Sequence, residues 1–154
     1  MTEKKYSLVT ANETLLIERE VQRLLTAFVH KIDDGKFGEA AELFLHGEYE
    51  VEGSKFVGRD AVESFLNGLV QPHHDGVRRT WHSITNIAVE IDPLGDSASS
   101  VSYYTVHQQL EGHPFELVRA GRWHDTFELF SGDWRFKSRV SELRMSGLAG
   151  LPSV

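Results

Sequence analysis

The chain has 154 residues, a formal net charge of −7, 40% hydrophobic residues and no cysteine. That length suits one domain with a sizeable core. Without cysteine there are no disulfides, no thiol catalysis and no cysteine-ligated metals, and an acidic balance with no concentrated basic stripe argues against a nucleic-acid partner. Residues 1–10 are polar and charged, unlike a signal peptide, and no run approaches the roughly 20 apolar residues of a membrane span. The expectation is a cytoplasmic protein that does not enter a membrane.

Over residues 13–34 the apolar positions Ile17, Val21, Leu24, Leu25, Phe28 and Ile32 recur at spacings of three and four, which predicts a long amphipathic helix. Asn12 is placed to cap it and Gly35 to end it. A shorter helix fits residues 37–45 through Phe37, Ala40, Ala41 and Phe44. Glu48-Tyr49-Glu50-Val51-Glu52 then alternates, turns at Gly53-Ser54-Lys55 and returns as Phe56-Val57-Gly58, the pattern of a small hairpin. Arg59-Asp60 opens a third helix whose apolar side is Ala61, Val62, Phe65, Leu66 and Leu69, stopped by Pro72.

From residue 78 the pattern changes to four long strands, over 78–91, 98–111, 115–130 and 134–145. Their joints, Asp92-Pro93-Leu94-Gly95-Asp96, Glu111-Gly112-His113-Pro114 and Ser131-Gly132-Asp133, carry turn chemistry. Consecutive strands with short joints make an antiparallel meander, and helices gathered before it make an α+β fold. The expected architecture is a strongly curved, mostly antiparallel sheet wrapped around the long first helix, with three helices in all. The chain divides into an N-terminal extension (1–12), one α+β domain (13–145) and a Gly-, Ser- and Pro-containing tail (146–154).

Two residues stand out chemically. His82 lies inside the run Arg78-Arg79-Thr80-Trp81-His82-Ser83-Ile84-Thr85-Asn86-Ile87, and Asp33 closes the most apolar helix. A carboxylate bonded to one imidazole nitrogen fixes the tautomer and raises the basicity of the other, so such a dyad takes and returns a proton near neutral pH. Each residue also has an ordinary explanation, Asp33 as a solvated residue at a helix end and His82 as a core histidine bonded to a carbonyl. Arg139 follows Arg135 and Lys137 on what reads as one solvated strand face. If Trp123 and Phe127 point inward, alternation takes Asp125 inward with them and His124 outward. His73-His74-Asp75 resembles a metal cluster, but adjacent residues diverge and no third ligand has suitable spacing, so it reads as a loop.

The order of these elements, with Ile32-Asp33 at the end of helix one, Phe56-Val57-Gly58 before helix three, His82 with Asn86, Gly121-Arg122-Trp123-His124-Asp125 and Asp133-Trp134-Arg135-Phe136-Lys137-Ser138-Arg139, resembles the SnoaL-like branch of the nuclear transport factor 2-like superfamily. Members with a His and an Asp at these positions include scytalone dehydratase, bile acid 7α-dehydratase and hexachlorocyclohexane dehydrochlorinase. The resemblance implies a cone-shaped apolar cavity and a lyase or isomerase, of dehydratase or cyclase type, working without metal or organic cofactor. It makes His82 the general base, Asp33 its orienting partner and Arg139 a pocket cation that polarises a carbonyl or stabilises a leaving anion. Where some members carry a Tyr or Lys five residues before the aspartate, this chain has Phe28, which donates no proton. His107 is then the candidate replacement acid, with Tyr49, Tyr103 and Tyr104 as further candidates. Phe28, Tyr49, Phe65, Trp81, Trp123, Phe127 and Asp125 are candidates for the core and the pocket wall. A proton-abstracting mechanism favours polyketide-, steroid- or aromatic-like substrates over sugars. The same scaffold also serves as a non-catalytic ligand-holding or assembly protein, as in dioxygenase β subunits, and in either case the resemblance implies a homo-oligomer, a dimer or trimer.

Overall fold

In the computed structural model, which describes residues 7–69 and 72–147, the elements run α1 (Ala11–Asp33), α2 (Phe37–Glu42), β1 (Glu48–Val51), β2 (Ser54–Val57), α3 (Gly58–Leu69), β3 (Thr80–Ile91), β4 (Ser97–Gln109), β5 (Phe115–Phe130) and β6 (Asp133–Ser146). The three helices, the hairpin and the four-stranded meander are those expected. The tail from residue 148 lies outside the described residues.

The start of α1 differs from expectation: Thr10, not Asn12, is the cap. The Thr10 hydroxyl accepts the Glu13 N–H and the Glu13 carboxylate accepts the Thr10 N–H, so a reciprocal capping box starts the helix two residues earlier than a cap at Asn12 would. The buried face of α1 is Ile17, Val21, Leu24, Leu25, Phe28, Val29 and Ile32, the predicted stripe with Val29 added. Burying each such side chain contributes about 1.5–3 kcal/mol, which anchors the helix along its length and holds its last residue, Asp33, in place.

All six strands form one sheet in the order β2-β1-β6-β5-β4-β3. Every pairing is antiparallel except β1 with β6. Glu52 and Gly53 both take positive φ, which makes the β1–β2 connection a two-residue turn whose twist matches its strands. Cross-strand rows on the concave face pack against α1. One row is Ala98, Phe127 and Phe136; the next is Ser100, Asp125, Arg139 and Tyr49; the next is Ser102, Trp123, Ser141 and Val51.

The meander is interrupted by register shifts at Thr85/Ala88, Val106/His107, Ala120/Gly121 and Thr126/Phe127. Each leaves extra residues on one strand, which bends that strand and reverses its alternation beyond the shift. Asn86, at φ 51°, lies within the first of these and is exposed, so it does not share the inner face with His82 as the strand pattern suggested. In β6 the extra residue is Lys137, and it separates the expected row of cations. Lys137 is exposed, whereas Arg139 turns inward and is fully buried. The convex face carries Trp81, Val101, Tyr103, Leu117 and Val140, all exposed. No helix among the described residues is long and apolar enough to cross a membrane.

Candidate active site

Asp33 and His82, 49 positions apart, meet where α1 ends against β3. The Asp33 Oδ1 lies 2.6 Å from His82 Nδ1, and Oδ2 accepts the His82 backbone N–H at 2.8 Å. The Thr80 hydroxyl donates to Oδ1 at 3.0 Å. Because β3 is the edge strand, the His82 N–H has no neighbouring strand to pair with, and the helix-terminal carboxylate takes that role. Side-chain exposure is 12% for His82 and 18% for Asp33, so both are shielded but reachable. A carboxylate on Nδ1 holds the proton there and leaves the Nε2 lone pair as the basic one.

His82 opens onto a cavity of about 90 Å³ walled by Phe28, Ile32, Phe37, Tyr49, Val51, Phe65, Leu66, Leu69, Tyr104, Val106, Val118 and Trp123, with Arg78, Thr80, Gln108, Arg119 and Ser141 as its other polar members. The Trp123 ring is the platform: Tyr104 stacks on it at 4.7 Å and His82 lies 6.5 Å away at an interplanar angle of 25°. Tyr104 packs directly over Gly121, where a Cβ would come within 2.9 Å of the phenol oxygen. Ser141 donates to the Tyr104 hydroxyl at 3.3 Å. Burial pushes the Tyr49 phenol up to about 12, against the opposing pull of Arg139. Burial likewise raises Tyr104, countered by Ser141 and by the cationic Arg119. Both phenols are therefore proton-bearing donors at neutral pH.

Of the residues singled out from the sequence, Asp33 and His82 come together, and Phe28, Tyr49, Phe65 and Trp123 line the cavity. Arg139 and Asp125 point inward but do not reach it. They form a bidentate pair at 2.7 and 2.9 Å, both side chains fully buried, one row behind Trp123. The guanidinium lies 3.9 Å from the Trp123 ring centroid and 4.5 Å from that of Phe28, so aromatic rings separate it from the cavity. This corrects the assignment of Arg139 as a pocket cation and of Asp125 as a pocket residue. Burial raises the Asp125 carboxyl, with Arg139 pulling in the opposite direction.

His107 is also corrected. In register with the outward-facing Trp81, it lies in a surface groove with Trp81 and Phe115, its ring 6.1 Å from that of Phe115. Its neighbour Gln108 occupies the cavity wall instead. Tyr103 is exposed beneath the Arg122 guanidinium, and His124 faces outward to Glu142, as alternation predicted. His73 bonds the Gln109 carbonyl, His74 pairs with Glu111 and Asp75 with Arg79, and no metal-holding group of three occurs among the described residues.

Sequence reasoning missed Arg78, Thr80, Gln108, Arg119 and Ser141. Counting back from His82 in twos reaches Thr80 and Arg78, and counting on from Tyr104 reaches Gln108. Counting back from Trp123 in twos passes Gly121 and reaches Arg119, since no extra residue of β5 lies between them.

A one-sheet α+β cone with a shielded His–Asp pair facing an apolar cavity defines the class. The SnoaL-like domain family matches residues 13–140, and the chain belongs to that family. Similar solved structures include a proposed scytalone dehydratase from Novosphingobium aromaticivorans, 20% identical, covering 94% of this chain and 95% of that one with a TM-score of 0.77. A hexachlorocyclohexane dehydrochlorinase is 20% identical over 92% and 95% of the two chains, with a TM-score of 0.76. The β subunit of a proposed aromatic-ring-hydroxylating dioxygenase from Novosphingobium aromaticivorans is 19% identical over 90% and 95%, with a TM-score of 0.72. No curated protein matches the sequence.

Proposed function

We propose that the protein is a lyase or isomerase, of dehydratase or cyclase type, in which His82 removes a proton from a carbon acid without metal or organic cofactor. The observation that carries this reading is the 2.6 Å contact between Asp33 and His82 Nδ1 beside an apolar cavity that His82 itself lines. Asp33 holds the imidazole in one tautomer and stabilises the imidazolium once the proton is taken, while the apolar wall keeps the reaction out of bulk water. A base of this kind contributes roughly 10²- to 10⁴-fold in rate. With Phe28 unable to donate, the neutral phenols of Tyr49 and Tyr104 are the groups placed to hydrogen-bond a carbonyl or leaving oxygen.

The test is proton–deuterium exchange. A panel of aromatic and alicyclic ketones and β-hydroxyketones is incubated in D₂O, and label entering beside the carbonyl is followed by NMR. The wild-type chain should accelerate exchange of at least one scaffold by about 10² or more over His82→Gln. Equal exchange by the two chains across the panel removes the enzymatic reading.

The exposed apolar side chains of the convex face favour a second reading, a non-catalytic assembly subunit. It requires a protein partner bound across Val101, Tyr103 and Val140, with no exchange activity. Under either reading we expect a homo-oligomer.

A further inference from the structure

We propose that Gln108 holds the ligand at the opening of the cavity, its side-chain amide taking a hydroxyl at the end of the molecule away from the carbonyl. The substrate class is then an apolar ring with an oxygen function at each end. This rests on the cavity reading above and names what that cavity selects.

Tyr104, Val106 and Gln108 alternate with outward-facing residues along β4, and all three line the cavity. No register shift interrupts the pairing of β3 with β4 over this stretch, so Ile84 lies opposite Tyr104, His82 opposite Val106 and Thr80 opposite Gln108. His82 therefore faces the middle of a row that reads phenol, isopropyl, amide. Four residues of strand, roughly 13 Å, separate the backbones of the two polar ends. Ser141 donates to the Tyr104 oxygen at 3.3 Å, which leaves the phenol proton for a carbonyl. A ring lying along this row brings a C–H to His82 with one oxygen toward Tyr104 and the other toward Gln108.

The Gln108 amide is uncommitted. The residue is only 9% exposed, yet among the described residues nothing hydrogen-bonds its side chain. Thr80, directly opposite, spends its hydroxyl proton on Asp33, and the adjacent amide of Gln109 donates to the His113 carbonyl. A buried amide without a partner is rare in folded proteins, because its donors and its acceptor lose water and gain nothing in return. Gln108 also borders the outer groove, so its amide stands where the cavity opens. An apolar group placed there would leave the amide unpaired, whereas a hydroxyl both donates and accepts and so matches its oxygen and its nitrogen. A site built in this way rejects the analogue that lacks the hydroxyl far more strongly than an apolar pocket rejects an added methyl.

The experiment compares 4-hydroxycyclohexanone with 4-methylcyclohexanone, which differ by a hydroxyl in place of a methyl, by NMR titration of the wild-type chain, Gln108→Leu and His82→Gln. In the wild-type chain the His82 ring resonances report binding beside the dyad. The wild-type chain should favour the hydroxy ketone, and in Gln108→Leu the ratio of the two affinities should move toward the methyl ketone by at least about fivefold. The side-chain amide resonances of Gln108 should shift with the hydroxy ketone and not with the methyl ketone, which tests the contact in the wild-type chain even if Gln108→Leu does not fold. His82→Gln should keep the wild-type ratio. Selectivity can therefore stand while exchange activity fails, and the reverse can also occur. A smaller change of ratio in Gln108→Leu, amide resonances that respond alike to both ketones, or binding of neither would each overturn the proposal.

Discussion

The Asp33 carboxylate bonds His82 twice, through the imidazole Nδ1 at 2.6 Å and through the backbone N–H at 2.8 Å. One side chain thus orients the proposed base and also satisfies the open edge of β3, so catalysis and folding draw on the same group. With the Thr80 hydroxyl added, three donors converge on it. Replacing Asp33 with Ala strands those donors in a shielded place and should cost about 1–3 kcal/mol in urea unfolding. Asn keeps one acceptor and should cost less. In both variants the ¹⁵N shifts of the His82 ring should change from one dominant tautomer to a mixture, and exchange activity should fall by at least tenfold. An unchanged tautomer would mean that Asp33 serves the strand edge alone.

Arg139 and Asp125 make a different use of charge. Removing one partner leaves an uncompensated buried ion, so Asp125→Asn or Arg139→Met should each destabilise the fold by about 3–5 kcal/mol. The double variant should recover most of that loss. A double-mutant cycle by chemical denaturation measures the coupling, and additive losses would argue against a tight pair.

Tyr49 gives the fold a dependence on alkaline pH. Its phenol is held at about 12, above the ordinary 10.0, so the neutral form is favoured in the folded state. The stability this contributes is fully present below pH 10 and is lost as the pH rises through 12. Two units correspond to roughly 2–3 kcal/mol. Between pH 10 and 12 the wild-type chain should therefore lose stability relative to Tyr49→Phe, in which the ionising group is gone. Parallel stability curves for the two proteins would show that the phenol is not held in this way.

His107 and Gln108 are adjacent in sequence but lie on opposite faces of β4. His107→Ala should leave exchange activity within about twofold of wild type, since its ring lies in the outer groove. Gln108→Leu changes the cavity wall and should alter the ratio of rates among panel substrates. A large loss from His107→Ala would place the outer groove in the reaction.

Much of this was legible in the chain. The 3.6-residue stripe of α1, the turn residues between strands and the element order were enough to give an α+β fold with a curved sheet around one long helix. The first residue of that helix was misread by its cap: Thr10 and Glu13 form a pair that Asn12 lacks. The dyad was legible only as two residue types at the ends of two elements, and their meeting depended on the sheet curling until β3 reached the end of α1. Alternation correctly turned Asp125 inward and His124 outward, because no shift interrupts β5 between Trp123 and Asp125.

Composition, periodicity and turn chemistry are local properties, and they determined the elements, their order and the apolar faces. Which side of the sheet a given strand residue occupies is not local once a strand carries a bulge. The extra residue is accommodated through pairing with a neighbouring strand and through the curvature of the whole sheet. Only the tertiary structure therefore decided that Lys137 turns Arg139 into the core behind Trp123, and that Val118, the extra residue of β5, turns to the cavity side beside Arg119.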